Sequence, residues 1–152
     1  MIKHLLALAA AVTLSQAAFA QVAVSDAWVR ATVPAQKSAG AFLTLQSVKA
    51  ARLVGASSPA TGAVEMHQME MSGQTMKMHA VEAIDLPAGA KVNLAQAGYH
   101  LMFLDLKQQL KEGDTVPVTL TVEDSARKRE NVVVNVPVKP IGYTAPGGAH
   151  QH

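Results

Sequence analysis

Two histidines and two methionines, His67, Met78, His100 and Met102, stand in a chain that has no cysteine. Imidazole nitrogen and thioether sulfur are both neutral donors, and the sulfur is soft. Zinc, magnesium and calcium sites draw on thiolate, imidazole or oxygen ligands, whereas thioethers select Cu(I). Two imidazoles with two thioethers therefore read as a site for a soft, monovalent metal. The absence of cysteine removes a blue-copper electron-transfer centre, which needs a thiolate. It also removes thiol redox chemistry, a cysteine nucleophile and any disulfide framework.

Local pattern says how the four side chains could pair. The segment from Glu65 to His79 reads as a hairpin centred on Ser72-Gly73. His67 then faces Met78 and Met69 faces Met76, with directly opposed Cβ atoms ~5 Å apart. Side chains alternate along a strand, so one face of the hairpin carries His67, Met69, Met76 and Met78, and the other carries Met66 and His79. In the segment Tyr99 to Leu104 the same alternation sends Tyr99, Leu101 and Phe103 toward a core. It leaves His100 and Met102 together on the other side, toward solvent or another strand. The two pairs converge only if this strand lies beside the hairpin, which no local pattern dictates.

Plainer readings compete. A methionine is often core filler or a surface residue, the expectation for Met66 and Met71. An isolated histidine is more often a satisfied side chain than a ligand, the expectation for His79. Five of the six methionines after Met1 fall between residues 66 and 78, and such a cluster also suits an adaptable contact surface for a partner protein. Glu65, Glu70 and Glu82 read as solvated strand positions.

The elements that must position these residues are strands. Runs rich in Val, Leu, Ile and Thr cover Val22 to Ala31, Gly40 to Val48, Ala51 to Ala56, Ala63 to Met71, Thr75 to Ile84, Lys91 to Leu94, Tyr99 to Leu106, Val116 to Glu123 and Asn131 to Val138. Turn signals separate them at Val33-Pro34, Ser58-Pro59, Ser72-Gly73, Pro87-Ala88-Gly89, Gln96-Ala97-Gly98, Glu112-Gly113-Asp114 and Asp124 to Lys128. No long segment has a helical period. Short strands at close spacing predict an all-β single domain, a β-sandwich or small barrel.

Residues 1–20 read as a secretory signal peptide. Lys3 and His4 open it, Leu5 to Leu14 is an apolar run too short to span a bilayer, and Ala18-Phe19-Ala20 fits the small-x-small cleavage rule. The mature chain is then expected to start at Gln21, in the periplasm, with no membrane insertion once the signal is removed. Residues 21–139 form the expected domain. Residues 140–152 lose alternation and read as a flexible tail ending His150-Gln151-His152. A formal net charge of +2, with no basic stripe interleaved with aromatics, makes nucleic acid a poor partner. There is no nucleophile elbow, phosphate loop or His/carboxylate zinc set, so an enzyme is not expected.

Ten residues separate His67 from Met78, twenty-one separate Met78 from His100, and Leu101 alone separates His100 from Met102. In this spacing the chain resembles the periplasmic copper chaperones called PCu(A)C. Trp28-Val29-Arg30-Ala31, Leu53-Val54-Gly55 and Leu106 followed by Leu110-Lys111-Glu112-Gly113-Asp114 also look like that family, so the likeness spans most of residues 21–138. Gln68 stands where a Glu is common, and Gln96-Ala97-Gly98 replaces a common Pro-Gly-Gly turn; neither removes a ligand.

The resemblance implies a cupredoxin-like β-barrel holding one Cu(I) through His67, Met78, His100 and Met102. It implies delivery of copper to respiratory oxidase assembly, to the copper A centre of a cytochrome oxidase subunit or through a Sco-type copper protein. A monomer is expected. The alternative is a periplasmic copper scavenger or resistance protein with no dedicated acceptor. Met69, His150 and His152 lie outside the signature as auxiliary or second-site ligands, the terminal histidines as a secondary Cu(II) site.

Overall fold

Ten strands and no helix make up residues 21–146, the part of the chain that the computed structural model describes. The signal peptide expected over residues 1–20, and His150 and His152, lie outside the described residues. The strands are β1 (Val22–Arg30), β2 (Ser38–Ser47), β3 (Ala51–Ser57), β4 (Thr61–Ser72), β5 (Thr75–Val81), β6 (Ile84–Leu86), β7 (Lys91–Asn93), β8 (Tyr99–Leu106), β9 (Thr115–Asp124) and β10 (Arg129–Lys139). Seven of them close a ring in the order β4-β8-β2-β1-β10-β9-β3, sealed back to β4 by the rung Ala56–Val64. Only β1 and β10 run parallel; the other pairs are antiparallel. The expectation of a sandwich or barrel thus resolves to a single-domain, cupredoxin-like barrel, whose closure between β1 and β10 rests on the two rungs Val29–Val138 and Arg30–Lys139.

Alternation builds the interior. Val116, Val118, Leu120 and Val122 of β9 are buried, and on β10 Val136 and Val138 are buried too. Outward residues such as Asn131 and Val133 stay exposed. On β8, Leu101 and Phe103 are fully buried, each contributing about 1.5–3 kcal/mol relative to exposure. Parity then sends His100 and Met102 to the outer face of the ring.

The expected strand Thr75–Ile84 divides in two. Beyond Val81, opposite Met66, the edge of β4 is already occupied at Val64 by β3. The chain bends at Glu82-Ala83 and transfers to β3, where Ile84 pairs with Leu53. β5 and β6 therefore fill the wedge where β3 and β4 splay apart. The distal half of β4, with β5, projects from the ring as a hairpin.

Candidate metal centre

β8 lies between β2 and β4, the juxtaposition that local pattern left open. His67 sits directly opposite His100, and Glu65 opposite Met102. The two imidazole rings are 5.4 Å apart between centroids, inclined at 63°. On the other edge of β4, Met69 faces Met78, Met71 faces Met76, and His67 faces Ala80. All of these outward residues share one face of the three-stranded patch β5-β4-β8.

The expected direct pairing of His67 with Met78 is corrected by the turn. Gly73, not Ser72, occupies the first central position of a two-residue loop, with φ at +66°, a conformation that glycine adopts without steric cost. Ser72 and Thr75 then close the hairpin. Moving the turn by one residue moves each partner by two, so every side chain keeps its predicted face. Met78 becomes a diagonal neighbour of His67, ~7–8 Å away between backbone positions and within reach of a long thioether side chain. His79 lies on the opposite face, with its Nδ1 4.0 Å from Glu70. Met66 is buried in the core.

His100 does not face solvent. It is only 5% exposed, because Phe42 of β2 lies beside it with ring centroids 6.0 Å apart. Trp28 of β1 stacks on Phe42 at 4.9 Å, and Tyr143 meets Trp28 edge-on at 5.0 Å. Arg30 lies 5.2 Å from the centroid of the Trp28 ring, and its guanidinium donates to the carbonyls of Ile141 and Tyr143. One aromatic row therefore runs across β1, β2, β8 and β4 and walls the imidazole pair on one side. Burial, and then the neighbouring His67 ring, hold the pKa of His100 below its ordinary value, which keeps a nitrogen lone pair free near neutral pH.

His67 carries the second polar signal. Its Nε2 lies 2.8 Å from a Glu65 carboxylate oxygen, while its buried Nδ1 has no hydrogen-bond partner. A carboxylate on one ring nitrogen fixes the tautomer and leaves the other as an acceptor, the arrangement that orients metal-binding histidines. Glu65 escaped the sequence reading, which placed it among solvated positions; the available signal was its parity with His67, two residues along the same strand. Among the described residues no three His, Asp or Glu side chains gather as they would for a hard or borderline ion. Two imidazoles face each other on a strand face that also carries Met78 and Met102, donor types that fit Cu(I).

The family described as "Putative lipoprotein LpqE-like" matches residues 22–138. The chain belongs to the LpqE-like family. A relative from Leifsonia xyli subsp. xyli, "Putative lipoprotein Lxx21020", is 32% identical over 119 residues, 78% of this chain and 69% of that protein. The copper-bound PCuAC domain from PmoF2 matches this LpqE-like chain with a TM-score of 0.63 at 21% identity, covering 82% of this chain and 97% of the domain. The solution structure of CuI-DR1885 from Deinococcus radiodurans matches with a TM-score of 0.51 at 31% identity, covering 74% of each chain. The PCu(A)C resemblance read from the spacing of His67, Met78, His100 and Met102 is thus borne out for family and fold.

Proposed function

We propose that this LpqE-like chain is a periplasmic copper chaperone, holding one Cu(I) through His67, Met78, His100 and Met102 and delivering it to respiratory oxidase assembly. The observation that carries this reading is the opposed pair His67–His100, with the unpartnered, buried Nδ1 of His67 on the face that also bears Met78 and Met102. The copper named in the matched PmoF2 domain and in CuI-DR1885 supports the cargo. A relative named a lipoprotein supports export.

A shell of neutral donors suits carriage. No anionic ligand stabilises Cu(II), so the site favours the reduced ion. Met78 sits on the projecting hairpin and is about half exposed, so its thioether can be replaced first. As an acceptor thiolate forms a bond to copper, the bond to Met78 breaks; the oxidation state is unchanged and no catalysed covalent step is needed. A copper A centre or a Sco-type protein would supply such thiolates.

Anaerobic Cu(I) titration with X-ray absorption tests the ligand set. The expected shell is two nitrogen and two sulfur donors. The double variant His67→Ala, His100→Ala should lose more affinity than the ~100-fold that changes around a ligand shell cost; unchanged affinity in competition with a chelator would sink the assignment. Direct transfer to an oxidase subunit or Sco-type protein separates a chaperone from a scavenger, which would retain its copper.

A further inference from the structure

Met69, Met71 and Met76 remain once Met78 is assigned to the imidazole site. They share the face of the hairpin that carries His67, with Met71 directly opposite Met76 and Met69 opposite Met78. All three are exposed, at 42%, 59% and 53%. Eight large apolar side chains are exposed among the described residues, and four of them are Met69, Met71, Met76 and Met78. The barrel core, by contrast, is built mainly from Leu and Val, with Ala, Ile84 and Phe103, and holds a single methionine, Met66. The other face of the hairpin is polar, with Glu70 opposite Lys77 and Gln68 opposite His79.

Thioether is thus concentrated outside the core, on half-exposed rungs where leucine would serve a plain apolar patch equally well. What distinguishes sulfur from a methylene at these rungs is its lone pairs.

We infer that Met69, Met71 and Met76 form a second Cu(I) site, a three-thioether station at the hairpin tip through which copper reaches and leaves the imidazole site. Directly opposed Cβ atoms are ~5 Å apart and successive same-face residues ~7 Å apart. Flexible methionine side chains on such a triangle can bring three sulfurs onto one ion. The soft, neutral donor set selects Cu(I). Met69 and Met78 share a rung, so copper passes inward by exchange: a bond to Met78 sulfur forms as a bond to Met76 sulfur breaks, with no change in oxidation state and no proton moved. Only the inward step rests on the proposed role of Met78; the three-sulfur site itself stands on the hairpin register.

Methionine methyl groups labelled with ¹³C in the mature chain, titrated anaerobically with Cu(I), test this. The first equivalent should shift the methyls of Met78 and Met102, and the second those of Met69, Met71 and Met76. The variant Met71→Leu, Met76→Leu, both at exposed positions, should abolish the all-sulfur second equivalent, leave the first intact, and slow loading of the first from a bulky Cu(I) chelate. Unmoved Met71 and Met76 methyls through two equivalents would overturn the site, as would a second equivalent that survives the double variant with an all-sulfur shell. If instead Met78 and Met102 stay unmoved while the tip methyls shift, the imidazole site fails and the tip site stands.

Discussion

Only two ionisable side chains are buried among the described residues, His100 and Glu123, and they are built on the same plan with opposite partners. Glu123 on β9 lies directly opposite Arg52 of β3 and Arg129 of β10. Their guanidinium nitrogens stand 2.8 and 3.1 Å from its carboxylate oxygens. The hydrogen bond from Arg52, and then that from Arg129, hold its carboxyl below the usual carboxylate range. His100 on β8 lies opposite another imidazole, and burial rather than any opposite charge sets its protonation. The first cluster supplies its own counter-charges. The second presents lone pairs and supplies no cation. A rung in a barrel can serve structure or function, and the chemical type of the facing residue decides which.

Exchanging the two positions gives the largest contrast. His100→Gln should lower Cu(I) affinity by roughly 100-fold or more, beyond the usual effect of changes around a ligand shell. Glu123→Gln should leave that affinity unchanged and lower the melting temperature of the apo protein by a few degrees. Competition titration beside calorimetry reads both; a Glu123 variant that loses copper would break the comparison.

The next effect is in pH. Both groups have lowered folded-state pKa values, so in both cases the unfolded chain binds protons first as pH falls, and stability drops with falling pH. The windows differ. The His100 contribution is fully present above the ordinary imidazole range and is lost as pH falls through it toward the lowered value. That of Glu123 persists until pH falls through the carboxylate range. Melting of the apo protein across this range should show two declines, and only the second should disappear in Glu123→Gln. Cu(I) binding should weaken in the first window, because bound imidazole must be neutral. Apo stability that rises on entering the imidazole window would contradict the sign.

The smallest effect concerns Glu65. If its hydrogen bond to His67 Nε2 fixes the ring for metal binding, Glu65→Gln should cost about 10-fold in Cu(I) affinity, the low end for such partners, with little change in melting temperature. No loss of affinity would show that His67 needs no such orienting carboxylate.

Much of this architecture was legible from residues alone, because a period of two is a local property. Alternation assigned Leu101 and Phe103 to the core and His67, Met69, Met76 and Met78 to one face of a hairpin. Register was less secure: both Ser72-Gly73 and Gly73-Gln74 could form the loop, since a glycine with positive φ suits either, and the pairing of Ser72 with Thr75 chooses the second. Adjacency of β4 and β8 was not legible, since nothing near His67 encodes a partner thirty-three residues away. The burial of His100 was hidden for the same reason, because Phe42 and Trp28 arrive from β2 and β1. The ring order brings these aromatics to the imidazoles, and a strand read by itself carries no record of its neighbours.

The aromatic row has an optical consequence. Trp28 is the chain's one tryptophan, and a single ring, Phe42, separates it from His100. All indole fluorescence of the molecule therefore originates next to the imidazole pair. The emission of an unlabelled sample is a resident gauge of that corner of the barrel, with no background from any other indole.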